Sequence, residues 1–261
     1  MDSPFHFIKM KNIIALLLST ILLISCKQYT QLYETKPISK MSIEKDSYVF
    51  ENDTVKIVFS FWDKRGALKY TFYNKLNIPI YIDWKKSSFI KNGQKLDYWQ
   101  DQSTTTSLEY YKSEYFYGAS YGKKSGKSTT VKPEKIIFVA PKSSISKSSF
   151  YLTSPLGIEL KKAKESKAIV PNLGGKDNPI SVKTAEFTEG NSPLIFRNFI
   201  TISTTDDFKH ESYIDNGFYI SKVYQMNSRD FGYSYYEKDV WYLSTPFKNN
   251  ICFYVPLGAA K

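Results

Sequence analysis

The sequence predicts an all-β protein, an antiparallel β-sandwich, on three observations. Apolar residues recur at every second position through most of the chain after residue 47, turn residues cut these runs into short segments, and helical periodicity is scarce.

The elements follow in order. Val55, Ile57, Phe59 and Phe61 share one face of the first run, as a half-buried strand requires. Asp63-Lys64-Arg65-Gly66 reads as a turn whose glycine supplies a positive φ, and Leu68, Tyr70 and Phe72 resume the alternation, which completes a hairpin. Ile78, Ile80, Ile82 and Trp84 lie on one side of the next run, and Pro79, lacking an amide donor, belongs at a strand start or edge. Asn92-Gly93 between two short strands is the strongest local hairpin signal. Further strands are expected at 135–140, 149–152, 180–187, 194–203, 217–226, 240–243 and 251–255. The best helical stretch, 160–168, has good helix formers but few apolar positions, so a short surface helix or a loop is expected there. A subdivision is conceivable near 159–178, where a charge run meets Pro171-Asn172-Leu173-Gly174-Gly175. One domain over 47–261 is preferred, because the strands after the gap would complete the first sheet. The pattern suits an immunoglobulin-like or related sandwich with long aromatic-rich loop insertions.

The first residues carry a different signal. Lys9 and Lys11 precede Ile13 to Ile24, a run of 12 residues (24 − 13 + 1) that is apolar apart from Ser19 and Thr20. It is too short for a spanning helix, which needs about 18 residues or more, and has the form of a signal-peptide core. Met10-Lys11-Asn12 begins a more typical leader than Met1 does. Directly after the apolar run, Leu23-Ile24-Ser25-Cys26 resembles the lipobox of bacterial lipoproteins. That resemblance implies removal of residues 1–25 and attachment of acyl chains to Cys26, the first of 236 remaining residues (261 − 25). Lys27 stands where enteric inner-membrane lipoproteins carry aspartate, and no acidic cluster follows. The resemblance thus implies an outer-membrane anchor on the periplasmic side. It covers only the leader; the remainder resembles other β-sandwich envelope lipoproteins without pointing to a specific family.

Residues 26–46 are polar, contain Pro37 and show no sustained periodicity, so they read as a flexible tether, able to hold a domain up to roughly 60 Å from the bilayer. With Cys26 acylated, Cys252 has no partner for a disulfide, and stability must come from burial. Without the leader the formal charge is +10 (34 basic minus 24 acidic residues). The charge reads first as a lysine-rich solvated surface, and outside the cytosol the anionic neighbours it could meet are lipid headgroups, lipopolysaccharide and cell-wall polymers, not nucleic acid.

Candidate sites are few. Tyr121 to Val131 contains Gly126-Lys127-Ser128, but a phosphate-binding loop needs a glycine five residues before Gly126, where Tyr121 stands. Pro133 and β-rich sequence follow, so the stretch reads as a lysine and glycine loop. Just before it, Tyr98, Trp99, Tyr110, Tyr111, Tyr115, Phe116, Tyr117 and Tyr121 lie among small polar residues, a composition suited to stacking on sugars or gripping a protein, and equally to core packing. Tyr233, Tyr235, Tyr236, Trp241 and Tyr242 form a second aromatic group, which would make one rim with the first if both sat at one end of the sandwich. His210, with Asp206, Asp207 and Glu211, has metal-ligand residue types but the setting of a polar loop. Cys252 faces either a second apolar layer or solvent. No nucleophile elbow, organised acid and base pair or cofactor motif is read. The expectation is a non-catalytic, lipid-anchored envelope protein that binds or scaffolds a partner, the alternative being a carbohydrate-binding or glycan-processing accessory using residues 98–121.

Overall fold

The computed structural model describes residues 28–100, 104–116, 119–131, 133–160, 164–171 and 177–258, with the backbone alone for 104–131 and 165–178. Two antiparallel sheets pack face to face. The larger runs β10 (Ile136–Val139), β6 (Ile80–Lys91), β14 (Ile195–Ser203), β15 (Glu211–Asn227), β1 (Tyr29–Pro37) and β18 (Cys252–Pro256). β7 (Gln94–Asp97) pairs with β6, and β12 (Lys164–Pro171) with β13 (Asp177–Glu186), which joins β15. The smaller runs β11 (Ser144–Tyr151), β5 (Ala67–Asn74), β4 (Val55–Ser60), β3 (Ser47–Glu51) and β2 (Ser42–Glu44). The all-β antiparallel sandwich expected from the alternation is thus present. Its finer likeness to immunoglobulin domains does not follow, since nine and five strands exceed the seven to nine or so of those domains.

The alternation works as read. Val55, Ile57 and Phe59 of β4 and Leu68, Tyr70 and Phe72 of β5 face Ile80, Ile82, Phe196, Ile200, Phe218 and Ile220 of the larger sheet, all buried. Phe218 is the hub: its ring centre lies 5.0 Å from those of Phe59 and Phe61, 5.4 Å from Phe196 and 5.7 Å from Tyr48. Gly66 has φ +67, and a Cβ there would come 2.8 Å from Phe253 Cγ, so the turn before β5 needs glycine for both conformation and space. Asn92 and Gly93 take φ 46 and 80 between β6 and β7, a tight hairpin as the dipeptide signals.

Three expectations are corrected. The stretch 26–46, read as a tether, contains β1, an interior strand hydrogen-bonded to β15 on one side and β18 on the other. Both faces of β1 are covered, so its buried positions include polar residues, each with a partner. Gln31 Nε2 donates to the Ile158 carbonyl at 2.7 Å and to Gln225 Oε1 at 3.0 Å, and Thr35 Oγ1 donates to the Ile251 carbonyl at 2.7 Å. Residues 160–168, read as helix or loop, enter β12, where pairing with β13 overrides a weak helical preference. The aromatic-rich insertion, read as a loop, is a two-stranded ladder described below.

A second, smaller core lies on the face of the larger sheet turned away from the smaller one. Leu32, Val182, Met226, Phe231 and Cys252 are buried there, roofed by Trp62, Phe247 and Tyr254. Of the two settings open to Cys252, the structure selects the apolar layer. Burial first, then the Glu34 and Asp46 carboxylates, push its thiol from 9.0 up to about 12. A raised value means that between pH 9 and 12 the folded chain keeps a proton that the unfolded chain releases, so stability present below pH 9 is lost as pH rises through that window. Tyr48, raised from 10.0 to about 12 mainly by burial, adds to the loss from pH 10 upward. Unfolding free energies from urea titrations are expected to fall over this range with a slope approaching about 1.4 kcal/mol per pH unit for each such group. Cys252→Ala should flatten the part nearest pH 9; an unchanged slope in that variant would count against a buried thiol.

Candidate functional site

The predicted aromatic site divides at the sandwich wall. Tyr98 and Trp99 follow β7 and are partly buried against the core. The Tyr98 hydroxyl donates to Asn198 Oδ1 at 2.6 Å, and its ring lies 5.3 Å from Phe150 and 5.5 Å from Trp84. Burial holds its phenol well above the ordinary value. Lys147 Nζ sits 4.1 Å above the Trp84 ring and 5.4 Å from the Tyr98 ring, and desolvation pulls this ammonium below its usual range. Opposite Asn198 in the ladder, Asn216 keeps both carboxamide atoms buried without a protein partner, a cost of about 1–3 kcal/mol concentrated beside Tyr98. Trp99 Nε1 donates to the Pro133 carbonyl at 3.2 Å, tying the point where the chain leaves the sandwich to the point where it returns. These two residues brace a base: the Tyr98 ring packs among core rings, while Trp99 is half-buried with Lys85 Nζ 6.0 Å from its ring centre.

Beyond that base the chain forms a hairpin of two 13-residue strands, β8 (Thr104–Phe116) and β9 (Ala119–Val131). Among the described residues they pair only with each other. At about 3.3 Å per residue the arm is roughly 40 Å long. Tyr110, Tyr111 and Tyr115 are positions of β8, opposite Ser125, Lys124 and Ser120, and Tyr121 of β9 is opposite Glu114; Tyr117 lies outside the described residues. Gly126-Lys127-Ser128 is part of β9, with Gly126 opposite Glu109. An extended strand cannot curl its amides around a phosphate, and no helix follows it before β10.

No protein-family model, no curated protein and no solved structure matches the chain.

The second aromatic group is exposed. β16 (Tyr233–Glu237) and β17 (Val240–Ser244) form another separate two-stranded ladder, closed by Lys238 and Asp239 at φ 47 and 63. Register places Tyr233, Tyr235 and Tyr242 on one face, with the Tyr235 and Tyr242 rings stacked at 5.4 Å. It places Tyr236 and Trp241 on the other, at 5.2 Å. All five are exposed, Trp241 by 71 %. The hairpin's foot is anchored where Thr245 Oγ1 donates to the Phe231 carbonyl at 2.6 Å and Phe231 stacks on Phe247 at 5.6 Å. Composition signalled these rings; their exposure was invisible because alternation in a free ladder looks like alternation in a core strand.

The two aromatic groups do not share a rim. The foot of β16–β17 follows Asn227 at one end of β15, while the base of the β8–β9 arm lies level with Tyr213 to Asn216, through Asp83 opposite Thr201 and Asn198 opposite Asn216. That separation is 11 to 14 residues along β15 (227 − 216 and 227 − 213), or roughly 36–46 Å.

The His210 loop is occupied internally. Asp207 accepts from Thr205 Oγ1 at 2.7 Å and pairs with Lys209 at 2.8 Å, while Glu211 pairs with Lys86 and accepts from the Tyr213 hydroxyl at 3.0 Å. Among the described residues no three His, Cys, Asp or Glu side chains converge as a metal site.

Proposed function

We propose that this chain is a non-catalytic, lipid-anchored envelope protein that binds or scaffolds a partner through the β8–β9 arm. The carrying observation is the arm itself, two 13-residue strands standing outside both sheets on a braced base. A ladder of that length, paired among the described residues only within itself, is suited to adding strands or aromatic contacts to another molecule. Anchoring rests on the lipobox resemblance at Cys26, and the outer membrane, periplasmic side, is the location that fits Lys27.

The fold gives this reading a geometry that differs from a long leash. β1 begins at Tyr29, three residues after Cys26, so the sandwich would sit directly on the bilayer. Reach would then come from β15, whose length separates the lipid end from the base of the arm by roughly 40 Å. A glycan-accessory reading loses Tyr98, whose ring packs among core rings, and rests on Trp99, Tyr110, Tyr111, Tyr115, Tyr117 and Tyr121.

Cross-linking in native membranes with a photoreactive residue at position 111 tests the proposal. One discrete protein partner is the expected product, lost when residues 104–131 are replaced by a short Gly-Ser linker that leaves the unfolding transition unchanged. Capture of a polysaccharide would favour the glycan reading, and a chain that captures nothing would sink both.

A further inference from the structure

The end of the sandwich that would carry the lipid also carries an exposed aromatic element. Ser228 N donates to the Gln28 carbonyl at 2.9 Å, Thr30 Oγ1 and Ser228 Oγ are 2.9 Å apart, and Leu257 N donates to the Tyr29 carbonyl at 2.8 Å. The start of β1, the end of β15 and the end of β18 are therefore stitched together. From Ser228 a single helical turn, Ser228–Phe231, leads through Gly232 straight into β16. The loop bearing Leu156, exposed by 85 %, is fixed at the same end by two hydrogen bonds between Ile158 and Gln31. Cys26 lies two residues before Gln28, which limits their separation to roughly 7 Å. If acyl chains enter a bilayer at Cys26, Gln28 and its partner Ser228 are held at that bilayer's surface.

We infer that the β16–β17 hairpin is a second membrane contact, its tyrosines and tryptophan seated in the phospholipid headgroup layer beside the acylated Cys26. This rests on the lipid-anchor reading above. Three features select the bilayer interface over a protein groove as the occupant. First, the aromatics are on both faces of the ladder, Tyr233, Tyr235 and Tyr242 against Tyr236 and Trp241, so a surrounding interfacial layer can contact both faces where a flat protein surface contacts one. Second, tyrosine and tryptophan have an apolar body and a polar tip, which suits the boundary between hydrocarbon and water. Third, the tip carries Glu237, Lys238 and Asp239, and a two-stranded ladder has unpaired edge amides and carbonyls. Neither tolerates the hydrocarbon core, so the hairpin stops at the hydrated headgroups. A single lipid attachment lets a domain swivel, and a second contact at the same end would fix its tilt and hold the base of the β8–β9 arm away from the membrane.

The test uses the full chain, processed by its host and reconstituted in vesicles of phosphatidylethanolamine and phosphatidylglycerol containing brominated phosphatidylcholine. Intact-mass measurement first reports whether Cys26 is acylated. In the acylated protein, tryptophan emission is expected to be quenched by the bromines, and Trp241→Phe to lose most of that quenching. The chain also holds Trp62, Trp84 and Trp99, so quenching that survives in Trp241→Phe would assign the contact to another surface and overturn the inference. An acylated protein whose Trp241 is unquenched by lipid and open to aqueous acrylamide would overturn it too. That result leaves the anchor intact and the hairpin free for a protein or sugar partner. A mass showing no acyl chain on Cys26 removes the anchor reading itself, and this inference with it.

Discussion

A chain lacking residues 29–37 should show no cooperative unfolding transition at all, whereas one lacking only residues 27 and 28 should melt like the parent. The contrast separates a strand from a tether more sharply than any point mutation. β1 supplies ladder partners to β15 along its whole length and to β18 over five residues, so its loss opens a slot in the middle of the larger sheet. It would also remove Leu32 from one core and Tyr33 from the other, each contributing about 1.5–3 kcal/mol by burial. Gln225 and the Ile158 loop would lose Gln31, and the Ile251 carbonyl would lose the Thr35 hydroxyl, leaving buried polar groups that cost about 1–3 kcal/mol each. Together these are comparable with a typical domain stability of about 5–15 kcal/mol, before the lost ladder hydrogen bonds on both sides of β1 are added. Circular dichroism during a urea titration measures the outcome. A sharp transition retained without 29–37 would restore the tether.

That segment also shows where the sequence was legible and where it was not. β4 and β5 were readable because each buries one face and leaves the other part-exposed, which writes the period of two into the chain; β14 and β18 were readable from their apolar and β-branched residues, although each also buries positions on its second face. β1 does not alternate, since both its faces are covered and Thr30, Gln31 and Thr35 are buried through hydrogen bonds to residues more than 100 positions away. No local pattern can announce a partner so distant. β12 was obscured differently: it is an edge strand whose lysines suit an unpaired edge and also suit a helix. β6 and its continuation read as two short strands and form one of 12 residues, because the break in alternation at Asp83 to Ser87 is an irregularity absorbed within the ladder to β14. For the candidate surfaces, composition located both aromatic groups but not their status. Tyr98 turned inward because Asn198 offered its hydroxyl a buried acceptor, while Trp241 stayed out because its ladder joins no sheet.

Phe218→Ala should destabilise the sandwich by about 3–5 kcal/mol, the range for removing a large aromatic ring from a close-packed core. Phe218 projects from β15 in the larger sheet and meets Phe59 edge-on at 66° and Phe61 at 78°, both on the facing side. Its ring lies nearly parallel to that of Phe196, its ladder partner in β14. Its removal therefore breaks contacts across the sandwich and along the sheet at once, beyond the transfer term alone. The cavity would be walled by rings held by their own neighbours, Phe61 by Phe196 at 5.3 Å and Phe59 by Tyr70 at 5.9 Å, so little collapse is available to offset the loss. Tyr213→Ala, also in β15 but 59 % exposed, should change stability far less, within about 1 kcal/mol. Parallel urea titrations should show the midpoint of Phe218→Ala falling with its slope preserved, as expected when stability changes but the surface exposed on unfolding does not. Equal effects at the two positions would mean that the faces of the two sheets are not packed against each other through this hub.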